Sequence, residues 1–352
     1  MLTQDISLEV KRFETCEGAK IFRIPLLAFP SLWGYAYLAL VDDGRSTPYR
    51  VLIDTGSGFG DSNQHLESGL QAVSSQLGHS LELADLTHIL ITHGHIDHFG
   101  GLTYVHSKTS AQVGVHELDQ RNLTNYEERL TIVARRLKDY LSEAGLTSQQ
   151  CSRLIEMYMI TKIMYHSVNV DFSFEKVGMQ LGPFKMFHVP GHCAGHVVIR
   201  LHDVLFGGDH ILSHISPHQS PEQLTLSTGL EHYLKSLDAI QSWANGIRLT
   251  LPGHEEPIFD LFTRISEIKQ VHQGRLEQVM KLLSTPHTIQ EVSNTLFGEV
   301  HGYNELLALE ETGAHIEFLY QRGLLGIENL EELESGIRPL PIRYRSLPSR
   351  VE

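Results

Sequence analysis

Apolar residues recur in this chain with two different periods, and the alternation between them lays out the fold. Leu86, Ile89, Leu90 and Ile91 run into Thr92-His93-Gly94. Val204, Leu205 and Phe206 run into Gly207-Gly208-Asp209, and Ile247, Leu249 and Leu251 into Pro252-Gly253-His254. Compact apolar runs bounded by Gly and Pro predict buried strands that end in tight turns. The uncharged run 24–41 is broken by Pro25, Pro30 and Gly34. It predicts strands joined by turns and not a membrane-crossing helix.

Helical spacing takes over elsewhere. Tyr126, Leu130, Val133, Leu137 and Tyr140 fall on one helical face, as do Leu154, Met157, Tyr158, Thr161 and Tyr165. Residues 118–172 therefore predict a helical pair inserted between two strand-rich stretches, 1–117 and 173–260. Beyond residue 260 the pattern is helical again. An amphipathic helix is expected over 264–283, a capping box opens at Thr288-Ile289-Gln290-Glu291, and a further helix covers 304–322. A Glu-rich, hairpin-like stretch and an Arg/Pro tail close the chain. The predicted domains are 1–260, with 118–172 as an insertion, and 261–352.

The predicted strand ends carry the chemistry. Residues 92–101 read THGHIDHFGG and place His93, His95, Asp97 and His98 within six positions. Two histidines one residue apart point the same way on an extended backbone. Asp97 and His98 then fall where the chain turns into a helix, aimed at a neighbouring point. Imidazole and carboxylate together suit borderline divalent metals, and two adjacent metals explain the spacing better than one. The chain has 22 histidines, so an isolated one is expected to be structural. What singles out this group is an apolar strand before it and Gly100-Gly101 after it. Downstream, VPGHCAGH holds His192 and His196, FGGDH holds Asp209, and LPGHEEP holds His254.

On these residues the chain resembles the metallo-β-lactamase superfamily. Its HxHxDH motif matches His93, His95, Asp97 and His98, and its remaining ligand positions match His192, Asp209 and His254. The resemblance implies an α/β fold, a four-layer αββα sandwich of two similar halves. It implies one metal site from His93, His95 and His192, a second from Asp97, His98 and His254, and Asp209 joining both. Two divalent metals are expected, zinc by default, with iron or manganese also compatible with a donor set lacking thiolate. Asp54, in VLIDTG, is expected to orient a ligand imidazole from behind. His196 is expected to be structural, and Cys193 a small packing residue. The expected chemistry is hydrolysis by a metal-bridging hydroxide, with Asp97 and Asp209 as the catalytic carboxylates.

Composition narrows the setting. Cys16, Cys151 and Cys193 are few, odd in number and far apart, which fits a reducing compartment and a cytoplasmic enzyme. The first residues, MLTQDISLEVKRFE, do not read as a secretory signal. A net charge of −14 opposes nucleic acid unless basic residues cluster. Arg135, Arg136 and Lys138 read as a solvated helix face, and Arg338, Arg343, Arg345 and Arg350 as scatter.

Two segments are expected to face the substrate. The insertion, with Tyr126, Tyr158, Tyr165 and three methionines, reads as a lid with an adaptable amphipathic wall. The loop 212–224 after Asp209 forms a second wall, with His210, His214 and His218 as candidate contacts. The C-terminal part resembles the winged-helix appendage of the lactamase-beta-like branch. Its stretch 286–336 holds ten Glu and one Arg, so neither DNA nor RNA is the expected partner. A wall of the pocket or a homodimer contact is expected instead. VPGHCAGH and LPGHEEP look like segments of glyoxalase II, which points to a small acyl substrate, a thioester or related ester. The C-terminus does not look like that family's glutathione-binding helices. Phosphodiester or endoribonuclease cleavage, lactone hydrolysis, and a binding module that retains its metals stand as alternatives.

Overall fold

The computed structural model describes residues 9–42, 44, 48–336 and 339–348. Arg338 and Arg350 of the tail lie outside the described residues. The chain forms two compact units: Met1–Tyr126, Tyr165–Pro217 and Ala239–Ile265 make the first, and Glu127–Met164, His218–Asp238 and Ser266–Glu352 the second.

Two sheets build the first unit. One has seven strands in chain order: β1 (Lys11–Glu14), β2 (Lys20–Phe29), β3 (Leu32–Val41), β4 (Tyr49–Ile53), β5 (His88–Leu90), β6 (Gln112–Val115) and β7 (Phe172–Ser173). Strands β1 to β4 pair antiparallel and β4 to β7 parallel. The other sheet contains β8 (Gln180–Leu181), β9 (Phe184–His188), β10 (Val197–Leu201), β11 (Val204–Gly208) and β12 (Leu249–Pro252), ordered β12-β11-β10-β9-β8.

Period-two alternation decides what lies between them. Tyr35, Tyr37, Ala39, Val51 and Ile53 from the first sheet share one buried core with Phe184, Met186, Val197, Ile199, Val204, Phe206, Leu249 and Leu251 from the second. The opposite face of β2 is apolar too, and helix α1 (Ser62–Leu77) packs on it. Gly69 permits that approach, because a side chain there would collide with Ile24. On the second sheet, Phe187 of β9 stacks at 4.9 Å on Trp243, the last residue of helix α7 (Leu230–Trp243). This is the four-layer αββα sandwich that the resemblance implies.

Between β5 and β6 lie the short helices α2 (Ile96–Phe99) and α3 (Leu102–His106), and α4 (Glu117–Thr124) follows β6. Helices α5 (Tyr126–Glu143) and α6 (Ser148–Ile160) occupy the predicted insertion. The second face of the insertion ends sooner than its spacing suggests. Thr161 caps α6, so Tyr165 lies beyond the helix. The chain leaves and returns at one place, where Val168 N–H donates to Leu123 O at 2.8 Å.

These two helices do not form a free-standing lid, because residues 127–164 belong to the second unit. That unit also holds most of α8 (Leu261–Leu282), then α9 (Ile289–Phe297), α10 (Tyr303–Gln321) and α11 (Leu330–Ser335). The expected boundary after residue 260 falls instead after Ile265, inside α8. Tyr140 of α5, 2 % exposed, donates its hydroxyl to Leu309 O of α10 at 2.6 Å. Gly313 makes room for it, since a Cβ there would sit 3.0 Å from the Tyr140 ring. The capping box forms as expected, with Thr288 N–H on Glu291 Oε2 at 2.8 Å and Glu291 N–H on Thr288 Oγ1 at 3.3 Å. The Glu-rich end forms a two-stranded ribbon, β13 (Leu325–Ile327) with β14 (Tyr344–Ser346), with α11 between its strands.

Candidate metal centre

Five strand ends of the first unit bring their turns together. His93 and His95 follow β5, His192 lies between β9 and β10, Asp209 follows β11, His254 follows β12, and Asp54 follows β4. His93, His95 and His192 form one group whose ligand atoms all lie within 4.8 Å of one another. Within it His93 Nε2 and His95 Nδ1 are 3.1 Å apart. Asp97, His98, Asp209 and His254 form the second group. There His254 Nε2 is 3.3 Å from Asp97 Oδ2 and 3.2 Å from Asp209 Oδ2. Asp209 also reaches back, its Oδ2 lying 4.0 Å from His192 Nε2.

The outer ring nitrogens fix which atoms face inward. His98 Nδ1 pairs with Asp54 Oδ2 at 2.8 Å, and His254 Nδ1 with Trp33 O at 2.6 Å. Those acceptors assign a proton to each Nδ1 and leave Nε2 as the nitrogen turned to the centre. Asp54 is itself held by the N–H and hydroxyl of Thr92, both at 2.8 Å, and sits at φ 58° in the left-handed region. Gly253 is obligatory: a Cβ there would meet the Asp209 carboxylate and come within 2.7 Å of His98 Cε1.

His196 is fully buried and supports the centre from beneath. Its Nε2 accepts the Asp209 N–H at 3.1 Å, so that nitrogen is engaged by backbone. Cys193 is buried and directs its thiol to Asp119 at 3.1 Å. Asp119 escaped the sequence reading. An acid in the first turn of a helix, here with Glu117 beside it, reads as an ordinary dipole complement, and nothing in HELDQ marks it as buried.

Charge at the centre is strongly uneven. Burial disfavours imidazolium at His98 and His254, yet Asp209, assisted by Asp97 at both and by Asp54 at His98, holds both rings well above the ordinary histidine pKa. Burial, then neighbouring histidines, push His93 well below it, so His93 is neutral. The donor set therefore pairs neutral imidazole on one side with carboxylates that demand positive charge on the other. His98 Nε2 and Asp209 Oδ1 are buried without a hydrogen bond, although 3.3 Å apart. Divalent cations fit this donor set: they need deprotonated nitrogen and carboxylate oxygen, and they would satisfy both orphaned atoms.

The other predicted contacts differ in burial and in the unit that holds them. Tyr126 and Tyr165 are buried in the first unit with ring centroids 6.2 Å apart. Tyr158 is half-buried on α6 in the second. His210 is completely buried, its ring 5.4 Å from that of His196, so it is not an open loop residue. His214 is exposed, and its N–H donates to Glu255 Oε2 at 2.7 Å. His218 lies in the second unit and pairs with Glu310 at 2.9 Å.

A third grouping, His272, Glu311 and His315, is buried in the second unit. Its members bond to one another, while His272 Nε2 is buried without a hydrogen bond. His272 Nδ1 meets His315 Nε2 at 3.1 Å, His315 Nδ1–H donates to Glu311 O at 2.7 Å, and Arg275 neutralises Glu311 at 2.7 Å. A cation there would have to compete with that guanidinium.

Comparison with known proteins agrees with this architecture. A metallo-beta-lactamase family protein of Thermus thermophilus is 26% identical, with a TM-score of 0.67, covering 93% of this chain and 98% of its own. A beta-lactamase domain protein of Burkholderia ambifaria shares the fold at 21% identity, with a TM-score of 0.70, covering 98% and 97%. No curated protein matches the chain. The sequence profile of the metallo-beta-lactamase superfamily matches residues 40–283. That span takes in both groups of ligand-type residues, and this chain belongs to the metallo-beta-lactamase superfamily.

Proposed function

We propose that this superfamily hydrolase works with two divalent metals and cleaves an acyl thioester or a related ester. The observation that carries the reading is Asp209. Its Oδ1 lies 3.3 Å from His98 Nε2, and its Oδ2 lies 3.2 Å from His254 and 4.0 Å from His192, so one carboxylate serves both groups. Divalent ions held there supply Lewis acidity and water of lowered pKa. Zinc is the default, and iron or manganese suit the same thiolate-free set.

The chain's own residues hold and orient. His93, His95 and His192 present one face, and Asp97, His98 and His254 the other. In the reaction, water adds to the carbonyl carbon, the C–S bond breaks, and the thiol departs with a proton. Asp97, on the second face, is the carboxylate assigned to carry that proton. A net charge of −14 weighs against polyanionic substrates and so against the phosphodiester alternative.

The test is a panel of thioester, lactone, phosphodiester and RNA substrates at equal enzyme concentration, with chelated and zinc-restored protein side by side. Thioester turnover should dominate, vanish with chelation and return with metal. Faster phosphodiester or RNA cleavage would replace the substrate assignment. Metal uptake without turnover on any of the four would leave a binding module.

A further inference from the structure

We propose that Asp119 is the positioning residue for the His93, His95 and His192 group, as Asp54 is for His98. The inference rests on reading that group as a metal's ligands. Asp119 stands in the first turn of α4 and is 0 % exposed. A buried carboxylate needs several donors, and it has them. Gly94 N–H donates to Oδ2 at 2.7 Å, Gly195 N–H to Oδ1 at 2.9 Å, and Asn122 Nδ2–H to Oδ1 at 3.2 Å. The Cys193 thiol adds a contact of 3.1 Å to Oδ2.

Where those donors sit gives the carboxylate its role. Gly94 separates His93 from His95, while Cys193 and Gly195 follow His192. One side chain therefore clasps both loops that supply this group. The glycines are the counterpart of the clasp. A Cβ on Gly195 would lie 2.6 Å from Asp119 N and 2.8 Å from its carboxyl carbon, and one on Gly94 would lie 2.6 Å from Asn122 Nδ2. The spacings H-G-H and G-H-C-A-G-H thus combine ligands with the bare backbone that lets Asp119 approach. Backbone amides next to ligands fix loop conformation, and outer supports of this kind tune metal affinity on the order of 10- to 100-fold.

Asp119→Asn tests this, because an amide cannot accept from both glycines without turning its NH2 toward a donor. Full-length protein is loaded with Zn2+ and titrated against a chelator, with bound metal counted by elemental analysis and the metal-free fold followed by thermal melting. One of two zinc equivalents should weaken by roughly 10- to 100-fold, while the other stays within about twofold. In a His192→Ala background, which already removes the group, the same change should cost no further metal affinity. Gly195→Ala presses on the carboxylate from the opposite side and should reproduce the selective loss if Asp119→Asn fails to fold. Equal weakening of both equivalents, no weakening, or a further loss on top of His192→Ala would overturn the assignment to Asp119. Wild-type protein that takes up no Zn2+ would overturn the metal reading itself, a result distinct from two tight equivalents in both proteins.

Discussion

Asp54 Oδ2 and His98 Nδ1 lie 2.8 Å apart, both side chains almost wholly buried. The pair leaves His98 one nitrogen for the centre and fixes where it points. Asp54→Asn should therefore weaken metal held by Asp97, His98 and His254, on the order of 10- to 100-fold, while the His93 group keeps its affinity. Zinc competition on the purified variant reads both. Unchanged affinity at both positions would remove Asp54 from the support.

Asp209 and His196 stand one behind the other, joined through the Asp209 N–H at 3.1 Å. Asp209→Ala takes a donor from both groups and should lower zinc content toward zero equivalents. His196→Ala removes only a backbone acceptor and leaves a cavity, so it should lower melting temperature first and metal content less. Comparable metal loss in the two variants would refute the division of roles.

His272 predicts an acid limb to stability. Burial, opposed by Glu311 but assisted by His315 and Arg275, takes its pKa from 6.5 down to about 3. The unfolded chain binds this proton as pH falls through 6.5, and the folded chain does not until about 3. Stability from this group is therefore full above pH 6.5 and drains between 6.5 and 3. His272→Gln should flatten that limb in metal-free protein, by up to ~1.4 kcal/mol per pH unit. Denaturant melts at several pH values from neutral to about pH 4 would show it, and parallel limbs in the two proteins would rule it out.

The glutamates of α10 are engaged within the second unit. Glu305 pairs with Arg153 at 2.6 Å, Glu310 with His218 at 2.9 Å and Glu311 with Arg275 at 2.7 Å, while Glu317 accepts the Glu222 N–H at 2.8 Å. Leu306, Leu309, Ile316 and Leu319 of the same helix are buried. A helix that spends its glutamates and most of its apolar residues on its own core is poorly suited to enter a groove. Gel-shift titration at low salt should find no DNA or RNA binding. Micromolar binding that collapses with added salt would reverse this and favour the phosphodiester reading.

Excising residues 124–167 joins positions already bonded, Leu123 and Val168. The closure looks permissive, but the deletion removes Tyr140 and its bond to Leu309. The excised protein should keep the first unit's metal uptake and lose cooperative unfolding of the second. A second melting transition as sharp as in the full chain would show that α5 and α6 are dispensable there.

The centre was legible in the sequence because ligand chemistry tolerates little substitution and strand ends announce themselves. His93, His95, His192 and His254 each follow an apolar run and a glycine or lie one residue from it. Asp119 was silent, since two of its partners are the backbone amides of Gly94 and Gly195, which no side-chain pattern encodes. The insertion was legible as helices but not as part of a larger body, because Tyr140 meets Leu309 across 169 positions of chain. His210 misled for a related reason: adjacency to Asp209 says nothing of burial.

The first unit is assembled from three separated stretches of chain, and that arrangement imposes an order in time. The His93, His95 and His192 group needs only the first two stretches, whereas the group containing His254 must wait for the third. A ribosome would thus have released the strand that leads to His254, and everything before it, before the second group could exist at all. If both groups bind metal, uptake during synthesis is expected to be sequential, the His93 group complete first and the group of His254 only once the third stretch has joined.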